Sequence, residues 1–362
     1  MLSENNKRRP RATDLDLSIG ILPHGNANSI TDVPNVTVGH STVISGEGQL
    51  KSGEGPVRSG ITAVIPHKGN IFKEKVPASA HSFNGFGKSI GLMQLIELGT
   101  IETPIVITST LSTWKIGDAL IDILTNDNPG VQSFNPIVCE SNDRFLNDGV
   151  GRHITKQHLQ QALDSSSNQS TDEGNIGAGT GMTGFGWKGG IGTSSRICQS
   201  LVDTYHVGVL VVCNAGDPRD LRFDNLPIGR FILPPGIHDE SGGSVIFIVA
   251  TDAPVNSRQL NRMAKRAEIG FSRCGGMLSH SSGSFSVAFS SSTERPKVDD
   301  AHLTPLFRGV TEASEEAIIN SILRSETITG RDGNIRHGIP IDRIKEIQNQ
   351  IPDLHHKLRE ED

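Results

Sequence analysis

Aromatic residues are scarce in this chain. Only 4% of its 362 residues are Phe, Trp or Tyr, with one Tyr (Tyr205) and two Trp (Trp114, Trp187). Proteins that grip single-stranded nucleic acid stack bases on aromatic faces, so that class is disfavoured. An excess of positive charge is missing too. The 34 Lys and Arg are outnumbered by 40 Asp and Glu, for a formal charge of -6, which argues against a general affinity for polyanions. No apolar run reaches the length of a membrane span. The polar, basic start, Met1 to Arg11, has no apolar signal-peptide centre. Cysteine is sparse: Cys139, Cys198, Cys213 and Cys274 form no C-x-x-C pair. They read as buried reduced thiols, neither a disulfide frame nor a zinc site. The chain is therefore expected to be cytoplasmic, with neither nucleic acid nor a membrane as partner.

Hydrophobic residues make up 35% of the chain, enough for a core of normal size. The 40 glycines lack a collagen period and mark turns and close backbone approaches. Residues 1–12, with the basic string Lys7 to Arg11, read as a disordered, solvated tail. Strands are expected at Ile61 to Ile65, Pro104 to Thr108, Pro136 to Cys139, His206 to Cys213 and Ser244 to Thr251. Phe285 to Phe289 alternates as a half-buried strand does. Helices are expected within Gly87 to Glu97 and over Ile116 to Leu124. Another carries Leu260, Met263, Ala264 and Ala267 on one face, capped by Ser257 or Asn256. Residues 312–324 read as an amphipathic helix and 341–350 as a last one, while 163–173 and 217–243 read as loops. Strands and helices mix without a clean βαβ alternation. That favours a layered α+β or α/β/β/α arrangement in one domain, 13–362.

Two segments invite a chemical reading. Gly177-Ala178-Gly179-Thr180-Gly181 looks like part of a dinucleotide turn, but a polar loop precedes it and no helix pattern follows. Lys188 is followed by Gly189, so it is no phosphate loop either. Close packing around a pocket, or simple turns, is the better account. At Gly242-Gly243-Ser244-Val245 a polar loop runs into an apolar strand that opens on a hydroxyl residue. A strand that starts with Ser is ordinary. If the Gly243–Ser244 bond were cut, however, the new α-amine, with an ordinary pKa of about 7.7–8.0, would sit beside the Ser244 hydroxyl as its base. Such a nucleophile needs no histidine.

The sequence resembles the self-cleaving L-aminopeptidase/D-amidase-esterases and β-peptidyl aminopeptidases. The blocks that carry the resemblance span nearly the whole chain. They include Ser29-Ile30-Thr31-Asp32-Val33-Pro34, Asn84-Gly85-Phe86-Gly87-Lys88, Glu140-Ser141-Asn142-Asp143 and Gly177-Ala178-Gly179-Thr180-Gly181-Met182. Further blocks are Lys188-Gly189-Gly190-Ile191-Gly192-Thr193-Ser194-Ser195-Arg196, Gly243-Ser244 and Ala250-Thr251-Asp252-Ala253-Pro254. The resemblance implies a four-layer α/β/β/α fold like that of N-terminal-nucleophile hydrolases, with different strand connectivity. It implies self-cleavage into 1–243 and 244–362, pieces that stay together, and a homotetramer. It implies no metal or cofactor.

By the same resemblance Ser244 is the nucleophile, first toward its own chain and then toward a small peptide, amino-acid amide or ester. Asn214 matches an oxyanion donor and Ser282 a serine that orients the nucleophile. Glu140, with Asn142 beside it, falls where a carboxylate would hold a substrate ammonium. The match breaks at Ser284, where the family usually carries an acid. A serine supplies no negative charge to a protonated α-amine, so the network is weaker, or Glu140 or Asp252 substitutes. Thr108-Ser109-Thr110 and Ala215 also depart from the usual pattern. Two rivals follow: a catalytically weakened or inactive relative that binds small amines or partners, and an acyltransferase that uses the same nucleophile.

Overall fold

The computed structural model describes residues 8–199, 203–236 and 243–360. In chain order its strands are β1 (Thr37–Ser45), β2 (Val57–Ile65), β3 (Val76–Gly85), β4 (Thr100–Ile101), β5 (Ile105–Ser109), β6 (Ile137–Ser141), β7 (Thr183–Gly184) and β8 (Trp187–Lys188). They continue with β9 (Ile191–Gln199), β10 (Thr204–Asn214), β11 (Ser244–Thr251), β12 (Gly283–Ser290), β13 (Ile328–Thr329) and β14 (Ile335–Arg336). The helices are α1 (Leu92–Leu98), α2 (Thr113–Asp127), α3 (Lys156–Asp164), α4 (Ser257–Ala264), α5 (Ala267–Arg273), α6 (Thr304–Leu323) and α7 (Ile341–Glu360).

Apolar side chains on both faces of most strands dictate a stack of layers, because each sheet face must be covered. A four-stranded sheet of order β1-β2-β5-β6 packs on a six-stranded sheet of order β4-β3-β12-β11-β10-β9. Ile105, Ile107 and Ile137 of the first meet Leu210, Ile246, Ile248 and Val287 of the second in a buried apolar interior. The outer face of the small sheet, with Ile61, Val106 and Val138, is covered by Ile116 and Leu120 of α2 and Leu159 of α3. The outer face of the large sheet, with Val209, Val211 and Phe247, is covered by α4, α5 and α6. This is the expected four-layer α/β/β/α sandwich. Pairing is antiparallel except for β5–β6 and β11–β12, which are parallel.

Some expectations need correction. The tail is not solvated throughout. Residues 1–7 lie outside the described residues, but Arg9 donates to the carbonyls of Leu323 and Ile339, and Arg11 to those of Asn28 and Thr193. Arg11 also pairs with buried Glu173, and Ala12 is fully buried. Basic residues dock here because backbone carbonyls and a buried carboxylate accept their hydrogen bonds. The helix expected through Ala267 breaks into α4 and α5, with Asn256 capping the first by accepting the Gln259 N–H. Strand β12 is buried on both faces, not one. Its serines are small enough to lie under helices, and the Ser286 hydroxyl donates to the Ala264 carbonyl at 2.8 Å.

Helix α6 is buried nearly all round, polar positions included. The reason lies in β9. Arg196 is 0% exposed, and its guanidinium reaches Glu316 at 2.8 Å and Glu312 at 3.4 Å. Buried charges require such partners. Burial by itself would raise the Glu316 carboxyl, but His24, Arg196 and Asn28 hold it down at about 2. The glycine segment 177–181 forms no nucleotide cradle. A Cβ on Gly177 would lie 2.5 Å from the Thr62 hydroxyl, and one on Gly179 2.4 Å from the Ile191 nitrogen. These glycines let one backbone lie flat against both sheets.

Candidate active site

Strands β10 and β11 bring the first two candidates together. Antiparallel pairing runs from Val207 opposite Thr251 to Asn214 opposite Ser244, which closes the ladder. Both strands are apolar runs buried on both faces, so a one-residue slip would exchange every side chain between two differently packed faces. The register is thereby fixed, and with it the placing of Ser244 beside Asn214. Gly243 precedes Ser244, and a Cβ there would lie 2.4 Å from the Asn214 carbonyl oxygen. Only glycine lets the chain enter β11 along that line. Gly242 and residues 237–241, the end of the loop expected at 217–243, lie outside the described residues.

The Asn214 side chain is held at both ends. Its Oδ1 accepts the Thr183 backbone N–H at 2.7 Å, and its Nδ2 donates to the Asn142 carbonyl at 3.0 Å. The acceptor is thus turned toward β7 and the amino group toward the loop after β6. A primary amide carries two N–H donors, and Asn142 takes one. The Asn142 side chain, expected to touch substrate, is exposed and accepts the Arg144 N–H. It is the Asn142 carbonyl that meets Asn214, a contact which no side-chain pattern reveals.

On the other flank of β11 lies β12, with Ser282 just before it and Ser284 within it. The two hydroxyl oxygens are 2.5 Å apart, and the Ser284 oxygen accepts the Val245 N–H at 3.3 Å. Ser282 and Ser284 are buried, and Ser244 is 8% exposed. The Val245 bond places the serine pair next to the strand residue that follows Ser244. The turn that carries Ser282 is fixed by glycine contact: a Cβ on Gly283 would lie 2.5 Å from the Gly87 nitrogen.

Glu140 is the last residue but one of β6 and is 2% exposed. Its Oε1 accepts the Lys88 backbone N–H at 2.8 Å, and its Oε2 accepts the Thr110 hydroxyl. Thr110 and Lys88 were not singled out from sequence as partners, although both fall in or beside blocks of the family pattern. Two donors on one buried carboxylate leave acceptor capacity for a cation. Asp252 does not replace an acid at position 284. It follows the far end of β11, eight residues from Ser244, or about 25 Å along an extended strand. There it is bound to the His206 ring at 2.9 Å.

The chain is similar to known proteins over most of its length. The model of peptidase family S58 matches residues 28–336. A β-peptidyl aminopeptidase, BapA of Sphingosinicella xenopeptidilytica, is 37% identical over 366 residues, covering 93% of this chain and 90% of that protein. The crystal structure of the PH0078 protein from Pyrococcus horikoshii OT3 superposes with a TM-score of 0.88 at 43% identity, over 95% of this chain and 99% of that one. The L-aminopeptidase D-Ala-esterase/amidase of Ochrobactrum anthropi, described as a variant of the Ntn hydrolase fold, gives a TM-score of 0.85 at 31% identity, over 95% and 99%. With both the sandwich and most of its length in common with these proteins, the chain belongs to peptidase family S58.

Proposed function

We propose that the protein is a self-processing serine aminopeptidase and amidase that releases N-terminal amino acids from small peptides, amides or esters. The observation that carries this reading is the closing pair of the β10–β11 ladder, Asn214 opposite Ser244, with Gly243 immediately before it. In the precursor the Ser244 hydroxyl attacks the Gly243 carbonyl carbon and an ester replaces the peptide bond. The amine of Ser244 is freed in that step. Water then hydrolyses the ester, which leaves fragments 1–243 and 244–362.

In the mature form the freed amine takes the hydroxyl proton as Ser244 attacks the substrate carbonyl. The uncommitted N–H of Asn214 holds the oxyanion, and such donors contribute roughly 3–4 kcal/mol to the transition state. Ser282, backed by Ser284, orients the nucleophile. Glu140 receives the substrate ammonium, which accounts for a preference for free amino termini. The leaving amine takes its proton from the Ser244 ammonium, and water releases the acyl group. The chemistry requires no metal or cofactor. The relatives named as β-peptidyl aminopeptidase and L-aminopeptidase support the substrate class. The four cysteines, all free and buried, support a cytoplasmic setting, and a homotetramer completes the reading.

N-terminal sequencing of the purified protein tests it. A second start at Ser-Val-Ile-Phe and hydrolysis of aminoacyl p-nitroanilides are expected, both abolished in Ser244→Ala. The neutral Ser284 favours a second reading, a weakened relative. A single uncut chain without turnover would select it, and product transfer to hydroxylamine in place of water would select acyl transfer.

A further inference from the structure

We propose that Asp143 is the positioning residue of the site: it touches no substrate but sets the orientation of the Asn214 amide from both sides. The inference rests on the reading of Ser244 and Asn214 given above. Asp143 is 1% exposed and lies in the loop that leaves β6. Its Oδ2 accepts the Ser59 hydroxyl at 2.6 Å, and its Oδ1 accepts the Ser109 hydroxyl at 2.8 Å and the Asn147 amide at 3.0 Å. Three donors on two oxygens match a carboxylate used as acceptor only. Its own carbonyl accepts the N–H groups of Leu146 and Asn147. The segment is thereby tied to β2, to β5 and to itself.

Two consequences converge on Asn214. The peptide before Asp143 contains the Asn142 carbonyl that takes one Asn214 N–H. With Asp143 anchored by three hydrogen bonds, that carbonyl has one direction. On the other side Gly181 presses on Asp143: a Cβ at Gly181 would lie 2.6 Å from the Asp143 Cβ. Two residues after Gly181 comes Thr183, whose N–H fixes the Asn214 oxygen. The single buried side chain therefore backs both arms of the clamp. Without it the amide can rotate, and its free N–H no longer meets the position of the oxyanion. A donor misplaced by about 1 Å costs up to roughly a hundredfold in rate.

Burial raises the Asp143 carboxyl above its ordinary value, and the hydrogen bonds from Ser59, Asn147 and Ser109 offset only part of that shift. A carboxylate retained at that cost is matched to its donors. An amide in its place would aim an NH2 group at one of them.

The test is Asp143→Asn in the full-length protein, assayed for self-cleavage and for turnover of an aminoacyl p-nitroanilide. The expected result is a fall of at least tenfold in kcat with KM within about twofold, and self-cleavage slowed by a similar factor. In the Asn214→Ala background the same change should add less than twofold, because the group it orients is gone. If Asp143→Asn does not accumulate as folded protein, Ser59→Ala/Ser109→Ala strips two of the three anchors and should give the same kcat-selective loss. Losses additive with Asn214→Ala, or a rise in KM with kcat unchanged, would overturn the proposal. Failure of the underlying reading looks different: the wild type itself would show no cleavage and no turnover.

Discussion

Asn214 and Ser244 stand opposite one another as the last pair of the β10–β11 ladder, which puts their Cα atoms about 4.5–5.5 Å apart. A proposed oxyanion donor and a proposed nucleophile are thus presented side by side by two rigid strands, not by loops. Asn214→Ala is expected to slow both self-cleavage and substrate turnover by roughly 100- to 1,000-fold, the usual loss for one oxyanion donor. Time courses of fragment appearance and of p-nitroaniline release check this. Equal rates in the variant and wild type would remove Asn214 from the mechanism.

Ser284 gives a prediction about pH. In the proposed mechanism the freed Ser244 amine acts as base only when neutral, and a nearby carboxylate would favour its charged form. Ser284→Asp should therefore raise the amine's pKa and move the acid limb of the kcat/KM profile to higher pH. An unmoved limb would show that position 284 does not sense the amine.

Glu140→Gln keeps the acceptor from Thr110 but loses the charge. Hydrogen bonds to charged groups are worth about 1.5–3 kcal/mol, so KM for substrates with a free amino terminus should rise roughly 10- to 100-fold. The kcat should change less. N-acetylated analogues, which carry no ammonium, should be indifferent to the substitution. Equal loss on both substrate types would assign Glu140 to the framework.

The buried Arg196–Glu316 pair predicts acid sensitivity. The folded Glu316 carboxyl is held at about 2, below its ordinary 4.5. Its contribution is therefore complete above pH 4.5 and fades as pH falls from there toward 2. The urea midpoint of the wild type should decline across that window. Glu316→Gln should flatten this part of the decline and cost about 3–5 kcal/mol at neutral pH, because Arg196 loses a buried partner. A variant as stable as wild type at neutral pH would contradict this account.

The strands best legible in the sequence are those whose neighbours on both faces are apolar. HVGVLVVC and SVIFIVAT read directly as β10 and β11, and their pairing delivers Ser244 and Asn214. Strand β9, by contrast, spells IGTSSRICQ and shows no apolar run. Its burial depends on Arg196 meeting two glutamates more than 100 residues later, which local pattern does not encode. Helix α6 looked amphipathic for the same reason, since its acids face that arginine and not water. Glu140 was reached through a motif block and Ser282 through the family resemblance. The contacts of Thr110, the Asn142 carbonyl and Asp143 escaped because they are made by a backbone atom or lie one layer behind the candidate residues. Asp252 looked suitable by composition and was excluded by strand length.

The six-stranded sheet has a division of labour that its order reveals. Strands β3 and β4 on one side, and β9 and β10 on the other, come from before residue 243, whereas β11 and β12 between them come from after it. The earlier portion by itself would hold a sheet with its middle missing, and the later portion two parallel strands with no flanks. Neither half is a subunit in waiting. The scission proposed above would have to follow assembly, and a gene split at this bond should yield two insoluble products unless both are made together.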